Sequence, residues 1–285
     1  MKIDGHTRLA AVIAKPIKHS ISPFIHNLAY DLTEINAVYV AWEIDREDLQ
    51  QSIENIRRYD MLGANISMPY KQEVLQYLDG IDQSAQLIDS VNTIVNQNGS
   101  LIGYNTDGYG FFRSLPDFDV KDKTITVLGA GGAASAIIGQ AAIEGAAKIH
   151  AFDRSLTLEQ TKVKIDQLAS RVGQDIFLHS VEDEEALKTS IAQSALVVNA
   201  TGVGMDGKSL PIPSQFVFPE HILVADLTYN PAETPFLRLA REQGLQTTNG
   251  FGMLFHQAKK AFELMTGKTM PSEEVWASLL EEIKK

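Results

Sequence analysis

The chain has no cysteine among its 285 residues, which excludes a disulfide framework, a thiolate nucleophile, an iron–sulfur cluster and a cysteine zinc site. It also lacks any apolar run near the roughly 20 residues that a membrane-spanning helix requires. The opening segment Met1–Ala11, with Asp4 and His6, has neither the apolar core nor the small-residue cleavage site of a secretory signal, so a cytoplasmic protein is expected. Basic residues are in deficit: 25 Lys and Arg against 36 Asp and Glu give a formal charge of −11. That balance repels nucleic acid and anionic membranes, and no local basic stripe reverses it, so neither is expected as a partner. The seven histidines have no paired-ligand spacing, and no metal site is expected. The acidic run Glu182–Glu185 and the tail Glu281–Lys285 are read as solvated helical ends with no direct role.

What is present is a hydrophobic fraction of 44%, ordinary for a globular protein. A chain of this length buries about 75% of its unfolded surface and needs no staples. Apolar runs at Arg8–Ile13, Ala37–Ile44 and Gly63–Met68 alternate with amphipathic segments, predicting a first α/β unit. Ser22-Pro23 predicts a helix to Leu32, with Ser22 as N-cap. Glu47–Tyr59 reads as a second helix. Asn98-Gly99, between Val91–Val95 and Leu101–Tyr104, is a hairpin signal. A helix over Asp107–Leu115 and the turn at Pro116-Asp117 lead into a second unit. Its strands are Thr124–Leu128, Lys148–Phe152, Asp175–His179, Ala195–Asn199 and Ile222–Asp226, with helices Gly131–Glu144 and Leu156–Val172. Such alternation implies parallel strands with ligands at their carboxyl ends. From Gly250 the pattern breaks into two helices, Phe251–Met265 and Ser272–Ile283, which could return to the first unit.

The segment Thr124–Ile138 carries a β-branched strand directly into Gly129, Ala130, Gly131, Gly132 and Ala133 and then into an alanine-rich helix. Glycines admit a pyrophosphate to the backbone, and the helix amino terminus offers N–H groups and partial positive charge. With Asp153 ending the next strand, 24 residues beyond Gly129, the spacing points to dinucleotide binding. The order is G-x-G-G-A, so Ala133 or Ala134 must take the close-packing role of the usual third glycine. Asp153 and Arg154 pull in opposite directions: an acid suits the free 2′-hydroxyl of NAD and an arginine suits the 2′-phosphate of NADP. The cofactor is therefore NADP or NAD.

Hydride transfer to a carbonyl needs a proton donor for the developing alkoxide and polar groups that fix the substrate. Four polar clusters follow predicted strands: His19-Ser20-Ile21-Ser22-Pro23, Asn65-Ile66-Ser67-Met68-Pro69-Tyr70-Lys71, Val91-Asn92-Thr93 and Asn105-Thr106-Asp107-Gly108. Singly, each has a structural explanation as cap, turn or exposed cation. In this order, followed by Val127–Ala133, they resemble the shikimate dehydrogenase family, including its quinate/shikimate branch. The resemblance spans nearly the whole chain, since Asn199–Met205, Asp226–Pro231 and Gly250–Gln257 look like that family's remaining motifs.

The resemblance implies an α/β fold with an N-terminal substrate domain over residues 1–108, joined by returning helices 251–285, and a Rossmann-type, doubly wound parallel-sheet NAD(P) domain over 109–250. It implies Lys71 and Asp107 as the catalytic pair, the carboxylate orienting and keeping charged an ammonium that passes a proton. Ser20, Ser22 and Tyr229 then hold the substrate carboxylate, and Ser67, Asn92 and Gln257 the ring hydroxyls. Thr201, Gly202, Gly250 and Met253 join the cofactor residues, Met253 bordering the nicotinamide or serving as core. The implied activity is reversible reduction of 3-dehydroshikimate to shikimate, with a small-molecule substrate and a homodimer among the compatible assemblies. Two departures bear on specificity. Asp153 stands where the NADP-type pattern has asparagine, pointing to the branch that accepts NAD and quinate, and Ser67 stands where it has threonine. A non-catalytic dinucleotide sensor, or a dehydrogenase of another small polyol acid, are the competing readings.

Overall fold

The apolar run Arg8–Ala14 forms strand β1 and is almost entirely buried from Ala10 onward. The computed structural model describes residues 3–283, and these fall into two units. Residues 1–2 and 284–285, the extremities of the opening segment and the charged tail, lie outside the described residues. The first unit runs to Thr106 and takes up again at Phe255; the second spans Asp107–Leu254.

In the first unit β1 is followed by α1 (Ser22–Leu32), β2 (Ala37–Glu43), α2 (Leu49–Arg58), β3 (Gly63–Ile66), β4 (Gly80–Ile81), α3 (Gln83–Gln86), β5 (Thr93–Gln97) and β6 (Ser100–Tyr104). The sheet order is β2-β1-β3-β5-β6-β4. β1 pairs in parallel with β2 and β3, while β5 runs antiparallel to β3 and β6. On α2 the spacing of Leu49, Ile53 and Ile56 gives one apolar stripe, which packs on Ala11, Ile13, Ala64 and Ile66 of the sheet. The predicted hairpin forms: Asn98 at φ 54° and Gly99 at φ 93° supply the two left-handed residues that a tight two-residue turn demands.

Three local expectations need correction. Ser22 is the first helical residue rather than the N-cap; Ile21 holds the cap position and no side chain caps α1. The helix expected over Glu47–Tyr59 opens as a 3₁₀ turn, Arg46–Asp48, before α2. β5 starts at Thr93 rather than Val91, whose N–H donates to the carbonyl of Lys71 at 2.8 Å.

The second unit contains α4 (Asp107–Ser114), β7 (Thr124–Leu128), α5 (Gly132–Ile143), β8 (Lys148–Asp153), α6 (Leu158–Val172), β9 (Ile176–Ser180), α7 (Glu184–Ala192), β10 (Leu196–Asn199), β11 (Leu223–Asp226), α8 (Pro235–Glu242) and β12 (Thr247–Thr248). Every strand pair is parallel. The order β9-β8-β7-β10-β11-β12 leaves β7 in one direction and resumes beside it with β10, making a switch point at the carboxyl ends of β7 and β10. The acidic run has a local role after all: Asp183 caps α7, its Oδ1 accepting the Ala186 N–H at 3.0 Å. Close packing of α4 on α5 relies on Gly108, where a Cβ would sit 2.3 Å from the Ala136 carbonyl oxygen.

The chain ends in α9 (Gly250–Thr266) and α10 (Ser272–Glu282). From Phe255 these helices belong to the first unit: Phe262 is fully buried there with its ring 5.6 Å from Tyr30, and α10 lies against α1. Among the described residues, no helix is long and apolar enough to cross a membrane.

Gly63 fixes the approach of β3 to β5, because a Cβ at this position would lie 2.1 Å from the Ile94 carbonyl oxygen. Backbone at that range cannot yield as a flexible side chain can. Gly63→Ala is expected to destabilise the protein by about 2–3 kcal/mol, read as a lower urea midpoint; an unchanged midpoint would show that the two strands can part without cost.

Candidate active site

At the switch point of the second unit, β7 ends on Leu128 and the chain turns at Gly129, whose φ of 103° suits glycine. The Gly129 N–H donates to the Phe152 carbonyl at 2.7 Å. A Cβ here would stand 3.1 Å from the Ala200 backbone, so the turn is also sterically closed on the β10 side. Gly131 and Gly132 are different. Neither has a left-handed φ, and a Cβ on either would meet nothing within 4 Å. Folding does not require glycine at either position, yet both bound an open space over the amino terminus of α5. Gly131 is the N-cap and gives α5 no side-chain acceptor, whereas α7 and α8 are capped by Asp183 and Thr234. The leading N–H groups of α5 thus face a space shaped for an anion. Of the two alanines, Ala134 is buried and takes the close-packing role, while Ala133 is exposed beside the open space. These residues fit the pyrophosphate of a dinucleotide.

Asp153 ends β8, and its Oδ2 accepts the hydroxyls of Thr157 at 2.9 Å and Thr161 at 2.5 Å. Burial pushes its carboxyl up, but the hydroxyl of Thr161, the backbone N–H of Arg154 and the hydroxyl of Thr157 outweigh that, leaving it below the ordinary aspartate value. The side chain is anionic and turned toward the start of α6. Across the switch point, Thr201 is tied to its own loop: its hydroxyl donates to Asn199 Oδ1 at 2.6 Å and accepts the Val203 N–H at 3.0 Å. Gly202 follows at φ 77°. Gly250 opens α9 with a packing duty, since a Cβ would fall 1.8 Å from the Leu227 carbonyl oxygen. Met253, on the same helix, is half-buried and stands apart from the fully buried core residues. Tyr229 is exposed.

Sequence reasoning missed the brace beneath these loops. Asp226 is buried, and its carboxylate is satisfied by the Asn199 amide at 2.9 Å, the Thr234 hydroxyl at 2.7 Å and the Thr228 N–H at 2.9 Å. Full satisfaction is what makes a buried carboxylate tolerable. Asp226 and Asn199 lay in motifs recognised from sequence, but only their spatial pairing identifies this role.

In the first unit the predicted substrate residues are held by neutral hydrogen bonds, Ser20 and Ser22 in one group, Ser67 against β1, and Asn92 with the Gln257 backbone in another. Ser20 and Ser22 are joined, the Ser22 N–H donating to Ser20 Oγ at 3.2 Å. Ser67 follows β3 and is pinned by its N–H to the Ile13 carbonyl at 3.0 Å. The Lys71 carbonyl binds the Val91 N–H, which brings the lysine backbone alongside Asn92. Asn92 is buried; its Oδ1 accepts from the Thr93 hydroxyl at 2.8 Å and the Thr106 N–H at 2.9 Å. Because that backbone N–H can only donate, the amide orientation is fixed, and Asn92 Nδ2 donates to Thr106 Oγ1 at 2.9 Å. Thr106 Oγ1 in turn donates to the Gln257 carbonyl at 3.1 Å. Behind them Asn65, itself accepting from Tyr39 at 2.7 Å, donates to the Asn92 carbonyl at 3.1 Å and to Thr93 Oγ1 at 3.0 Å. Asp107, next in the chain after Thr106, is buried at the start of α4 in the second unit.

The histidines follow a different logic. His26 is wholly buried, stacked on Tyr39 with ring centroids 4.2 Å apart, and burial pushes it down to about 3. It is a neutral packing group. Among the described residues no cluster of three or more His, Asp or Glu side chains is arranged to hold a metal.

The family follows from comparison with known proteins. Residues 12–94 match the shikimate dehydrogenase substrate binding domain, and residues 250–280 the shikimate 5′-dehydrogenase C-terminal domain. A shikimate dehydrogenase (NADP(+)) of Streptococcus gordonii is 67% identical over 284 residues, covering 100% of both chains. The chain belongs to the shikimate dehydrogenase family. Among solved family members, the Listeria monocytogenes shikimate 5-dehydrogenase, in complex with shikimate and NAD, has a TM-score of 0.93 at 38% identity and covers 98% of each chain. The Corynebacterium glutamicum quinate dehydrogenase, in complex with NAD, has a TM-score of 0.87 at 27% identity, covering 96% of this chain and 99% of its own.

If the space above α5 serves a pyrophosphate, filling it should separate binding from folding. Gly131→Ala is expected to leave the melting temperature within about 2 °C, since the new methyl meets no neighbour, while weakening NADP and NAD at least tenfold in a fluorescence titration. Undiminished affinity in a folded variant would show that the dinucleotide backbone lies elsewhere.

Proposed function

We propose that this chain catalyses the reversible NAD(P)-dependent reduction of 3-dehydroshikimate to shikimate, the reaction that feeds chorismate and aromatic amino acid biosynthesis. It is an oxidoreductase acting on a CH–OH group. The observation that carries the reading is the relationship over the entire length, at 67% identity, to an enzyme named for that activity. The open glycine turn supports it from physics.

The pyrophosphate would lie on the backbone of Gly129, Ala130, Gly131, Gly132 and Ala133, the adenosine ribose beside Asp153 and Arg154, and the nicotinamide end toward Thr201, Gly202, Gly250 and Met253. A dinucleotide held there would supply the hydride that reduces the C3 carbonyl and would take it up in the reverse direction. Lys71 delivers a proton to the C3 oxygen during reduction and receives it during oxidation, and Asp107 orients the lysine ammonium. Ser20 and Ser22, with Tyr229, would receive the ring carboxylate with hydroxyl donors, and Ser67, Asn92 and Gln257 would read the ring hydroxyls. A buried polar site of this kind rejects analogues that leave its groups unpaired. The reading carries with it a cytoplasmic enzyme acting on small molecules, in keeping with the net charge of −11. The domain roles follow: the first unit, with its C-terminal helices, serves the substrate and the second serves the cofactor.

A second reading, a dual quinate/shikimate dehydrogenase using NAD or NADP, is favoured by Asp153, whose anionic side chain opposes a 2′-phosphate. Reduced-nicotinamide absorbance in a four-way grid of shikimate or quinate with NADP or NAD distinguishes the two. Turnover of shikimate is expected, whereas silence of folded protein in all four wells would sink the enzyme assignment.

Two substitutions test the residues. Lys71→Ala should lower kcat by about 10²–10⁴-fold while dinucleotide affinity stays within about twofold, and unimpaired turnover would remove Lys71 from proton transfer. Asp153→Asn should raise the NADP/NAD ratio of kcat/KM by about tenfold, one unit charge at the ribose edge being worth roughly that factor; an unmoved ratio would remove Asp153 from cofactor choice.

A further inference from the structure

β8 and β9 run in parallel register with Asp153 opposite Ser180, so the turns leaving them lie side by side at one sheet edge. There a single carboxylate oxygen gathers three donors. Glu182 Oε2 accepts the Ser155 N–H at 3.1 Å, the Ser155 hydroxyl at 2.9 Å and the Ser180 hydroxyl. The two serine oxygens are 2.7 Å apart, and the Glu182 N–H donates back to Ser180 Oγ at 3.2 Å. The hydroxyls of Ser180 and Ser155 hold the Glu182 carboxyl down at about 2, so it is an anion throughout the physiological range.

The position of this contact matters because Ser155 directly follows Arg154. A guanidinium, a backbone N–H and a hydroxyl on adjacent residues are the donor types that hold a phosphate monoester. They stand at the end of the second strand of the nucleotide-binding unit, where the adenosine 2′-position falls. In this structure the Ser155 donors already hold an anion, and it belongs to the protein. Asp153 does not do this: its Oδ2 is turned onto Thr157 and Thr161. Glu182 also lies outside the nucleotide-binding fingerprint, 29 residues beyond Asp153, in an acidic run that reads as plain solvated surface.

We propose that Glu182 is a cofactor-selecting residue: its carboxylate occupies the Ser155 donors that the 2′-phosphate of NADP would use and repels that phosphate, shifting preference toward NAD. The inference rests on the dinucleotide reading above and deepens it. Glutamine at this position keeps the length and an acceptor oxygen for Ser155 while removing the charge, so it separates selection from bracing of the loop.

The test compares the full-length wild-type protein with Glu182→Gln and Glu182→Ala. It measures kcat and KM for NADP and NAD with shikimate, and the binding of adenosine 2′,5′-bisphosphate against 5′-AMP. E182Q is expected to raise the NADP/NAD ratio of kcat/KM at least tenfold, chiefly through a lower KM for NADP. It should tighten adenosine 2′,5′-bisphosphate relative to 5′-AMP by a comparable factor. The difference from wild type should shrink as salt is raised, since the interaction is between solvent-exposed charges. A loop brace alone would move both cofactors together, so an unchanged ratio in E182Q, in turnover and in analogue binding, overturns the proposal. Should E182A fail to fold, E182Q still decides. Wild-type protein that turns over with neither dinucleotide and binds neither adenosine ligand overturns the dinucleotide reading and this proposal together, whereas active wild type with an unmoved ratio overturns Glu182 alone.

Discussion

The first unit is organised around one chain of neutral hydrogen bonds, Tyr39 to Asn65, Asn65 to Thr93, Thr93 to Asn92, Asn92 to Thr106, and Thr106 to the Gln257 carbonyl. It ties together the ends of β3, β5 and β6 and the helix that returns from the far end of the sequence. Every member but Gln257 is buried, so losing one partner would strand a polar atom at a cost of about 1–3 kcal/mol. The chain leaves this network at Thr106 and the next residue is Asp107. The backbone entering Asp107 is therefore held by Asn92 through the Thr106 N–H, and the Lys71 segment is held beside the same asparagine by the Lys71 carbonyl. The bonds that stabilise this part of the fold are the same ones that place the Lys71 segment and the residue before Asp107.

The second unit solves a different problem. Asp226, Asn199 and Thr234 make a fully satisfied brace below the carboxyl ends of β10 and β11, while Gly131 and Gly132 leave room above α5. A rigid floor and an open roof suit a large, charged ligand that brings its own hydrogen-bond acceptors. The glycines above α5 carry no side chain although a Cβ there would meet nothing within 4 Å, whereas the brace is rich in side-chain bonds because its buried groups have no solvent to turn to.

The periodic features were legible in sequence. The strand and helix patterns, the Asn98-Gly99 hairpin and the glycine turn all depend on neighbours within a few residues, and local sterics enforce them. What escaped depends on contacts between distant segments. Asn65 and Thr93 lie in runs that read as strands, but nothing in those segments reveals that β3 and β5 pair and bring the two side chains together. Ser-Pro predicts Ser22 as the cap, but the Ser22 N–H donates to the Ser20 hydroxyl and the cap position falls to Ile21. Glu182 was passed over as solvated surface, and it is exposed; what sequence could not give is that the parallel register of β8 and β9 carries it to Ser155. The helices α7 and α8 were missed because the first hides behind an acidic run and the second is short and follows a proline-rich loop.

Selection of substrate and selection of cofactor consequently lie in different dielectric surroundings. Asn92 sits in a buried, neutral lattice, where a substitution breaks several hydrogen bonds at once. Half-buried Asp153 and exposed Arg154, Ser155 and Glu182 stand at a sheet edge where water screens single charges. A change there alters hydrogen bonds at the rim and leaves the buried core untouched. On the proposed function, rim charges can therefore change the cofactor preference while the buried lattice around Asn92 stays as it is.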